Sequence, residues 1–146
     1  MFKLIDFEPE HALELMAAGI KEETADLDAE RVELLAKFPA MTGICDDTIV
    51  CCGGMIILYP EYRAESWTML SSEIQKFRVD YKMIKKQVHT WMTQNKIVRL
   101  EAPLRADFMP GITFAEHQGF KIEAILEKYH PDGCDAMLHT IIKERA

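Results

Sequence analysis

The sequence predicts a mixed α/β fold. Stretches that alternate apolar and polar residues, as strands do, are interspersed with stretches of helical periodicity, in the order β-α-α-β-β-β-α-β-α-β-β. The chain has 146 residues, a length that fits one domain with a buried core. Its 49% hydrophobic and 28% charged residues are typical of a globular protein and not of a disordered one.

The first strand and two helices are read from residues 2–39. Residues 2–7 alternate, and Pro9 stands where a helix can begin, with acidic residues in its first turn. Gly19 is a plausible stop for that helix. Asp28 is the expected N-cap of the second helix, whose apolar side runs to Phe38 before Pro39 ends it.

A hairpin and a fourth strand follow. Met41–Cys45 and Thr48–Leu58 form the arms of the hairpin, joined by a turn at Asp46-Asp47. The pair Gly53-Gly54 indicates either a bulge or a close approach of another backbone. Residues 64–72 return as a strand, with Trp67, Met69 and Ser71 on one face.

The second half contains a long helix and three strands. The helix is predicted from an apolar stripe at helical spacing, formed by Phe77, Tyr81, Ile84, Val88 and Trp91. A short strand covers 97–101, and a loop with Pro103 and Pro110 leads to a brief helix at 111–118, stopped by Gly119. Strands 120–129 and 134–143 are joined by a turn at "PDG".

Composition excludes several classes of function. The net charge of −7 and the sequence pI of about 5.2 have the wrong sign for broad nucleic-acid binding. No run of about 18 apolar residues exists, so we expect no membrane span, and the N-terminus lacks the features of a signal peptide. We therefore expect a cytoplasmic location. The cysteines fit a reducing compartment, and without CxxC spacing or a matching histidine pair we expect no metal site.

The order of five short stretches resembles that of the GCN5-related N-acetyltransferase (GNAT) superfamily over nearly the whole chain. They are "CCGGMIIL", "SWTMLSSE" running into the long helix, "VRLEA", "FAEHQGFK", and the closing "GFKIEAILEKYHPDGCDAMLHTIIKE". The last stretch looks most like the acetyltransferase-like proteins of short-tailed bacteriophages, some of which are internal virion proteins. The resemblance implies one GNAT-like domain over residues 1–146, with a twisted, mostly antiparallel sheet of about seven strands and about four helices.

The resemblance also implies acetyl-CoA, or another acyl-CoA, as cofactor. In the family its pantetheine arm bonds to the backbone of the fourth strand where that strand splays from the fifth. The pyrophosphate rests on amides at the start of the next helix, where the helix dipole favours anions. The cofactor-binding candidates carried over to this chain are Leu70, Ser72, Lys76, Phe77, Arg78 and Val79.

The chain departs from the family at the pyrophosphate signature, Q/R-x-x-G-x-G/A. The matching stretch, "QKFRVDY" from Gln75, lacks both glycines. A basic cluster could compensate, because charged donors neutralise phosphates that amides reach less well. Arg78, Lys82 and Lys85 have i, i+4, i+7 spacing, with Lys76 and Lys86 nearby. The alternative is that these side chains only solvate the exposed face of an amphipathic helix.

Candidate catalytic groups follow from the same resemblance. Glu73 is the candidate general base, and the alternative is a surface glutamate near a helix start. The tyrosine that often acts as general acid, four residues before the glycine of the Gly-Phe pair, is replaced by Ala115. Tyr81 and Tyr129 are replacements only if the fold brings them near. His117 could relay a proton, although a solitary exposed histidine is the commoner case.

Two functions therefore remain open. One is a divergent GNAT-like N-acyltransferase that uses acetyl-CoA to acylate an amine of a small molecule or a protein. The other is a catalytically inactive phage protein of the same fold, with a structural or virion-associated role and with protein partners or a homo-oligomer as its assembly. Neither function involves nucleic acid or a membrane.

Overall fold

The computed structural model describes residues 1–21 and 29–144. The strands are β1 (Phe2–Asp6), β2 (Ala40–Cys45), β3 (Thr48–Tyr59), β4 (Arg63–Leu70), β5 (Arg99–Arg105), β6 (Lys121–Leu126) and β7 (Ala136–Ile142). The helices are α1 (Pro9–Ala18), α2 (Ala29–Leu35), α3 (Tyr81–Gln94) and α4 (Met109–His117), with a 3₁₀ turn at Ile74–Lys76. The predicted mixed α/β fold is confirmed.

All seven strands form one sheet in the order β1-β2-β3-β4-β5-β7-β6. The pairs β1–β2, β2–β3, β5–β7 and β6–β7 are antiparallel, and β4–β5 is parallel. Among the described residues, β4 pairs with β5 only over Arg63–Glu65 and Arg99–Glu101. Within the sheet the chain forms two compact units, one of residues 1–56 and 66–80 and the other of 57–65 and 81–146.

In the first unit, α1 and α2 pack on a cluster of buried side chains. Glu8 and His11 form the capping box that starts α1 immediately before Pro9, and the amide of Glu8 donates to His11 Nδ1 at 3.1 Å. The apolar positions at helical spacing then face inward. The cluster consists of Phe7, Ala12, Leu15, Val32, Leu35, Cys52 and Met69.

The β2–β3 hairpin has the predicted turn, and its glycine pair marks a close approach. Asp46 and Asp47 both have positive φ, 48° and 68°, as a two-residue hairpin turn requires. A Cβ on Gly54 would lie 2.3 Å from the carbonyl oxygen of Pro39. The close approach expected at Gly53-Gly54 is therefore confirmed at Gly54, and the register of β2 against β3 shifts elsewhere, between Gly43 and Ile44.

The second unit contains α3, α4 and the β5-β7-β6 end of the sheet. Its buried side chains include Ile84 and Met92 on α3, Ile112 on α4, and Leu100 and Ile141 on the strands. Strand β6 ends earlier and β7 begins later than predicted, because residues 127–135 form the connecting turns, with Lys128 and Gly133 at positive φ.

The predicted loop around Pro103 is wrong, because β5 continues through it to Arg105. The amide of Lys143 donates to Val98 and that of Ala106 to Asp135, so even-numbered residues of β5 direct their backbone groups toward β7. Pro103 is odd-numbered, and its missing N–H is on the opposite edge. No partner strand needs that donor among the described residues, since pairing with β4 ends at Glu101.

Two helix predictions also need correction. Helix α3 begins at Tyr81, so Phe77 is not on it and Arg78 does not share a helical stripe with Lys82 and Lys85. The 3₁₀ turn at Ile74–Lys76 followed by an extended Phe77, with φ −115° and ψ 153°, separates β4 from α3. Helix α2 ends at Leu35, before Phe38. The expected N-cap, Asp28, lies outside the described residues.

Candidate active site

The candidate cofactor site is the bend after β4, residues 71–80, in the first compact unit. The buried side chain of Ile74 anchors it to the core. Most of its amides already have acceptors within the chain: those of Ser71, Ser72, Glu73, Ile74, Lys76 and Phe77. These amides are therefore not free to form the phosphate cradle that the glycine-containing signature provides in the family.

The amides of Gln75, Arg78 and Val79 have no such acceptor among the described residues, and the last two are consecutive. The Arg78 side chain is exposed. The Arg78 carbonyl accepts from the Cys45 thiol at 3.7 Å, which fixes the backbone at this point. These unpaired amides and the exposed guanidinium are donors of the kind that a phosphate group can accept from.

Leu70 and Ser72, the candidates for pairing with an extended ligand arm, already have protein partners. The Leu70 carbonyl accepts from the amide of Lys21 at 2.9 Å, and the Ser72 amide donates to the carbonyl of Gly19 at 3.1 Å. The side chain of Leu70 is buried, whereas Ser72 is exposed. The backbone groups that would pair with such an arm are therefore already hydrogen-bonded within the chain.

Glu73 and Lys76 form an ion pair across the 3₁₀ turn. Lys76 Nζ lies 3.1 Å from Glu73 Oε1, and the two side chains are 64% and 61% exposed. An exposed carboxylate with a counter-ion is well hydrated and gains little from its environment. This arrangement agrees with the alternative reading of Glu73 as a surface residue, and the assignment of Glu73 as a base stays a prediction.

A second carboxylate, in the second compact unit, has an environment better suited to a base. Glu65 on β4 lies opposite Glu101 on β5 in the parallel register, so the two side chains are neighbours on one face. Burial, followed by the charge of Glu101, raises the pKa of Glu65, and Arg63 partly offsets this. Among the described residues Glu65 has no hydrogen-bond or ion-pair partner, so its oxygens are available to a substrate.

Glu101, by contrast, is held by arginines. Arg63 Nη1 lies 3.3 Å and Arg99 Nε 2.7 Å from its carboxylate. Arg99 also binds Glu123 through both terminal nitrogens, at 2.8 and 2.6 Å, and the pKa of Glu123 is held below its ordinary value mainly by that contact. Glu101 is thus contacted by two arginines, whereas Glu65 has no such partner among the described residues and has a raised pKa.

Tyr81 contacts α4, the helix that carries the position of the missing acid, Ala115. It is the first residue of α3, and its ring stacks on His117 of α4 with 5.0 Å between centroids. It also meets Phe114 edge-on at 5.7 Å, so its two ring contacts on α4 flank Ala115. Tyr129 is half-exposed in the turn after β6 and contacts His130 instead. His117 is exposed but not isolated, because its ring stacks on that of Tyr81.

The neighbouring cysteines Cys51 and Cys52 are not suited to act as nucleophiles. Burial raises the pKa of Cys51 and of Cys52 to about 12, so both thiols stay protonated at neutral pH. In the part of the chain that the structure describes, no group of three histidine, cysteine or acidic side chains could hold a metal ion. None of the helices in that part is long and apolar enough to cross a membrane.

Comparison with known proteins identifies the fold. No protein-family sequence model and no curated protein sequence match this chain. Among solved structures, the ribosomal-protein-S18-alanine N-acetyltransferase of Escherichia coli matches with a TM-score of 0.75 at 13% identity, over 100% of this chain and 96% of that one. The acetyltransferase of the GNAT family from Streptococcus pneumoniae matches with a TM-score of 0.74 at 12% identity, over 99% and 100%.

A third match was solved with a ligand. The YncA protein of Salmonella typhimurium, in complex with its cofactor acetyl-CoA, has a TM-score of 0.74 at 13% identity, over 99% of this chain and 96% of that one. Identities this low establish the fold and not the activity. The chain has the fold of the GNAT N-acetyltransferases.

Sequence reasoning missed Glu65. The available signal was position: Glu65 shares the strand face of Trp67 and Met69, both of which pack in or against the core of the first unit. A charged residue on such a face is worth attention as a functional candidate. Its neighbour across the parallel pair, Glu101, could not be read from the sequence, because register is a tertiary property.

Proposed function

We propose that this protein is an N-acyltransferase that transfers the acyl group of acetyl-CoA, or of another acyl-CoA, to an amine of a small molecule or a protein. The observation that carries the proposal is the fold match over essentially the full length of both chains, which includes a protein solved with acetyl-CoA. The proposal is supported further by free amides and cationic groups at the bend after β4 and by an unpaired carboxylate on that strand.

The bend offers a modified form of phosphate binding. The amides of Arg78 and Val79 supply two donors, and the side chains of Lys76 and Arg78 supply charge at and beside the first glycine position of the family signature. Phe77, half-buried and extended, lies between Lys76 and Arg78 in the stretch that joins the 3₁₀ turn to α3. The backbone of Leu70 and Ser72 is the part of β4 that an extended pantetheine arm would pair with.

Bound acetyl-CoA supplies an activated thioester, and this chain supplies the acid–base groups. Glu65 accepts a proton from the acceptor ammonium, and its raised pKa makes it a stronger base than an ordinary carboxylate. Glu73 remains the base candidate from the sequence. The phenol of Tyr81, held between Phe114 and His117, is the proton donor that the chain offers in place of a tyrosine at Ala115.

A second candidate function is the non-catalytic one, a protein of this fold with a structural role, in a virion if the likeness to phage proteins holds. One observation favours it: the Leu70 carbonyl already accepts from the Lys21 amide, and the Ser72 amide already donates to the Gly19 carbonyl. On this reading the bend is closed to cofactors. Protein partners or a homo-oligomer would then take the place of substrates.

Calorimetric titration with acetyl-CoA and CoA distinguishes the two candidates. We expect binding by the natural protein and its loss in Lys76→Glu/Arg78→Glu, because both cations at the bend are reversed. The matched control is Lys3→Glu/Lys37→Glu, which makes the same change in net charge at two exposed lysines of the same unit and should bind normally. Absence of heat and of a thermal shift at millimolar ligand would contradict the enzyme proposal.

A further inference from the structure

A short segment after α1 lies against the end of β4. Within residues Gly19–Lys21, Ile20 forms an antiparallel bridge with Ser71. Two hydrogen bonds flank the bridge, from the amide of Lys21 to the Leu70 carbonyl at 2.9 Å and from the amide of Ser72 to the Gly19 carbonyl at 3.1 Å. The segment therefore adds to β4 as a very short strand.

The edge of β4 that this segment occupies is the one directed away from β3. The amide of Ser71 donates to Val50 on β3 at 2.9 Å. Because successive residues of a strand direct their backbone groups to opposite edges, Leu70 and Ser72 present theirs on the other side. An added strand, whether from the protein or from a ligand, can hydrogen-bond to β4 along this edge.

The segment is held at Gly19 and through the side chain of Ile20. The Gly19 amide donates to the Leu15 carbonyl at 3.0 Å, which ends α1, and Gly19 has a φ of 114° that side chains rarely adopt. A Cβ at this position would lie 3.1 Å from Ser72 Oγ, so the glycine also permits the close approach. Ile20 packs against the core cluster of the first unit.

We infer that Gly19–Lys21 is an intramolecular competitor for the cofactor edge of β4. This inference rests on the proposed function. An extended arm with alternating amide and carbonyl groups, such as pantetheine, needs the Leu70 carbonyl and the Ser72 amide in order to pair with β4. A single N–H donates one strong hydrogen bond, so the Ser72 amide serves either Gly19 or the ligand. Acyl-CoA therefore pairs with Leu70–Ser72 only when the segment has moved away.

The competition can be weakened at one atom. Lys21→Pro removes the N–H that bonds to Leu70, and proline here is compatible with the extended conformation of Ile20 before it. Lys21→Ala keeps the N–H and removes the same ammonium group, so it is the matched control. By calorimetry we expect Lys21→Pro to bind CoA about 3- to 10-fold more tightly than Lys21→Ala, the effect of one backbone hydrogen bond.

Each outcome of the titration has a distinct meaning. Binding by the natural protein with equal affinity in the two variants overturns the inference and leaves the proposed function intact. Binding by Lys21→Pro with little or none by the natural protein supports both. Absence of binding in all three proteins overturns the proposed function, and the inference with it.

Amide hydrogen exchange of the natural protein provides a second test that needs no variant. Addition of CoA should speed exchange of the Lys21 amide, because its acceptor on Leu70 is taken by the ligand. The Ser72 amide should stay protected, since it exchanges one acceptor for another. A Lys21 amide whose protection is unchanged or increased at saturating CoA would overturn the inference, even if the proline variant failed to fold.

Discussion

A half-buried carboxylate that lacks an ion-pair partner is an unfavourable choice for a strand. Glu65 is in this position, beside a second carboxylate whose own charge is satisfied by Arg63 and Arg99. Burial and like charge both favour its neutral form, which raises its pKa. Positions that reduce stability in this way are often retained because a reaction uses them.

Replacement of Glu65 by glutamine should therefore separate stability from activity. A carboxyl whose folded pKa is raised loses its contribution to stability as the pH rises from the ordinary value through the raised one. Glu65→Gln should thus unfold at a higher temperature than the natural protein at pH 7, and at the same temperature as the natural protein at pH 3. Thermal unfolding across this range measures both.

Acyl transfer by the same variant tests the role of the carboxylate. We expect a loss of roughly 100-fold in kcat/KM for Glu65→Gln, the usual scale for a missing general base. The control is Glu73→Gln, which removes only an exposed ion pair with Lys76 and should keep its activity. The reverse result, with Glu73→Gln inactive and Glu65→Gln active, would assign the base to Glu73.

At the scale of elements, β5 shows how a proline can mark an unpaired edge. Pro103 lies inside the strand, yet its missing donor is on the side away from β7, beyond the last residue that pairs with β4. The same reasoning applies to the 3₁₀ turn at Ile74–Lys76. Because of this turn α3 begins only at Tyr81, and Arg78 lies before the helix with an exposed side chain and an amide that has no partner among the described residues.

The two edges of β5 should tolerate proline differently. Leu104 is even-numbered and its amide is directed toward β7, so Leu104→Pro should lose a ladder hydrogen bond and destabilise the fold by about 3 kcal/mol or more. Pro103→Ala should change stability by less than about 1 kcal/mol, because no partner uses the new N–H. Chemical denaturation measures both variants, and equal costs would contradict the edge assignment.

For the whole molecule, arginine–carboxylate contacts make the folding stability depend on pH in the acid range. Arg99 pairs with Glu123, and Arg105 pairs with Asp107 and Asp132. In each case the contact with arginine is the main cause that lowers the pKa of the carboxylate. A lowered pKa adds stability that is present above the ordinary value, 4.5 for Glu123, and is lost as the pH falls through the folded value.

In Arg99→Met the melting temperature should therefore change less with pH in the acid range than it does in the natural protein. We expect a lower melting temperature than that of the natural protein at pH 6 and a difference that shrinks below about pH 4, as Glu123 becomes protonated in both. Lys3→Met removes one exposed cation from β1 and is the control for net charge. A difference between Arg99→Met and the natural protein that does not change with pH would show that packing, and not charge, is responsible.

The sequence by itself determined the order of elements, the hairpin turn at Asp46-Asp47, the start of α1 at Pro9 and the stop of α4 before Gly119. These features depend on local periodicity, capping and backbone preferences, which act over a few residues. Local signals also placed the candidate cofactor residues in one bend, since they are contiguous in the chain.

Only the tertiary structure decided which groups are available. A 3₁₀ turn precedes α3, so the apolar stripe of that helix begins at Tyr81. Glu65 lies beside Glu101, and the ring of Tyr81 packs against α4. Residues Gly19–Lys21 lie on the edge of β4. Each of these depends on strand register or on packing between residues far apart in the sequence. Periodicity reports which face of an element is buried, but it carries no information about the neighbour that buries it.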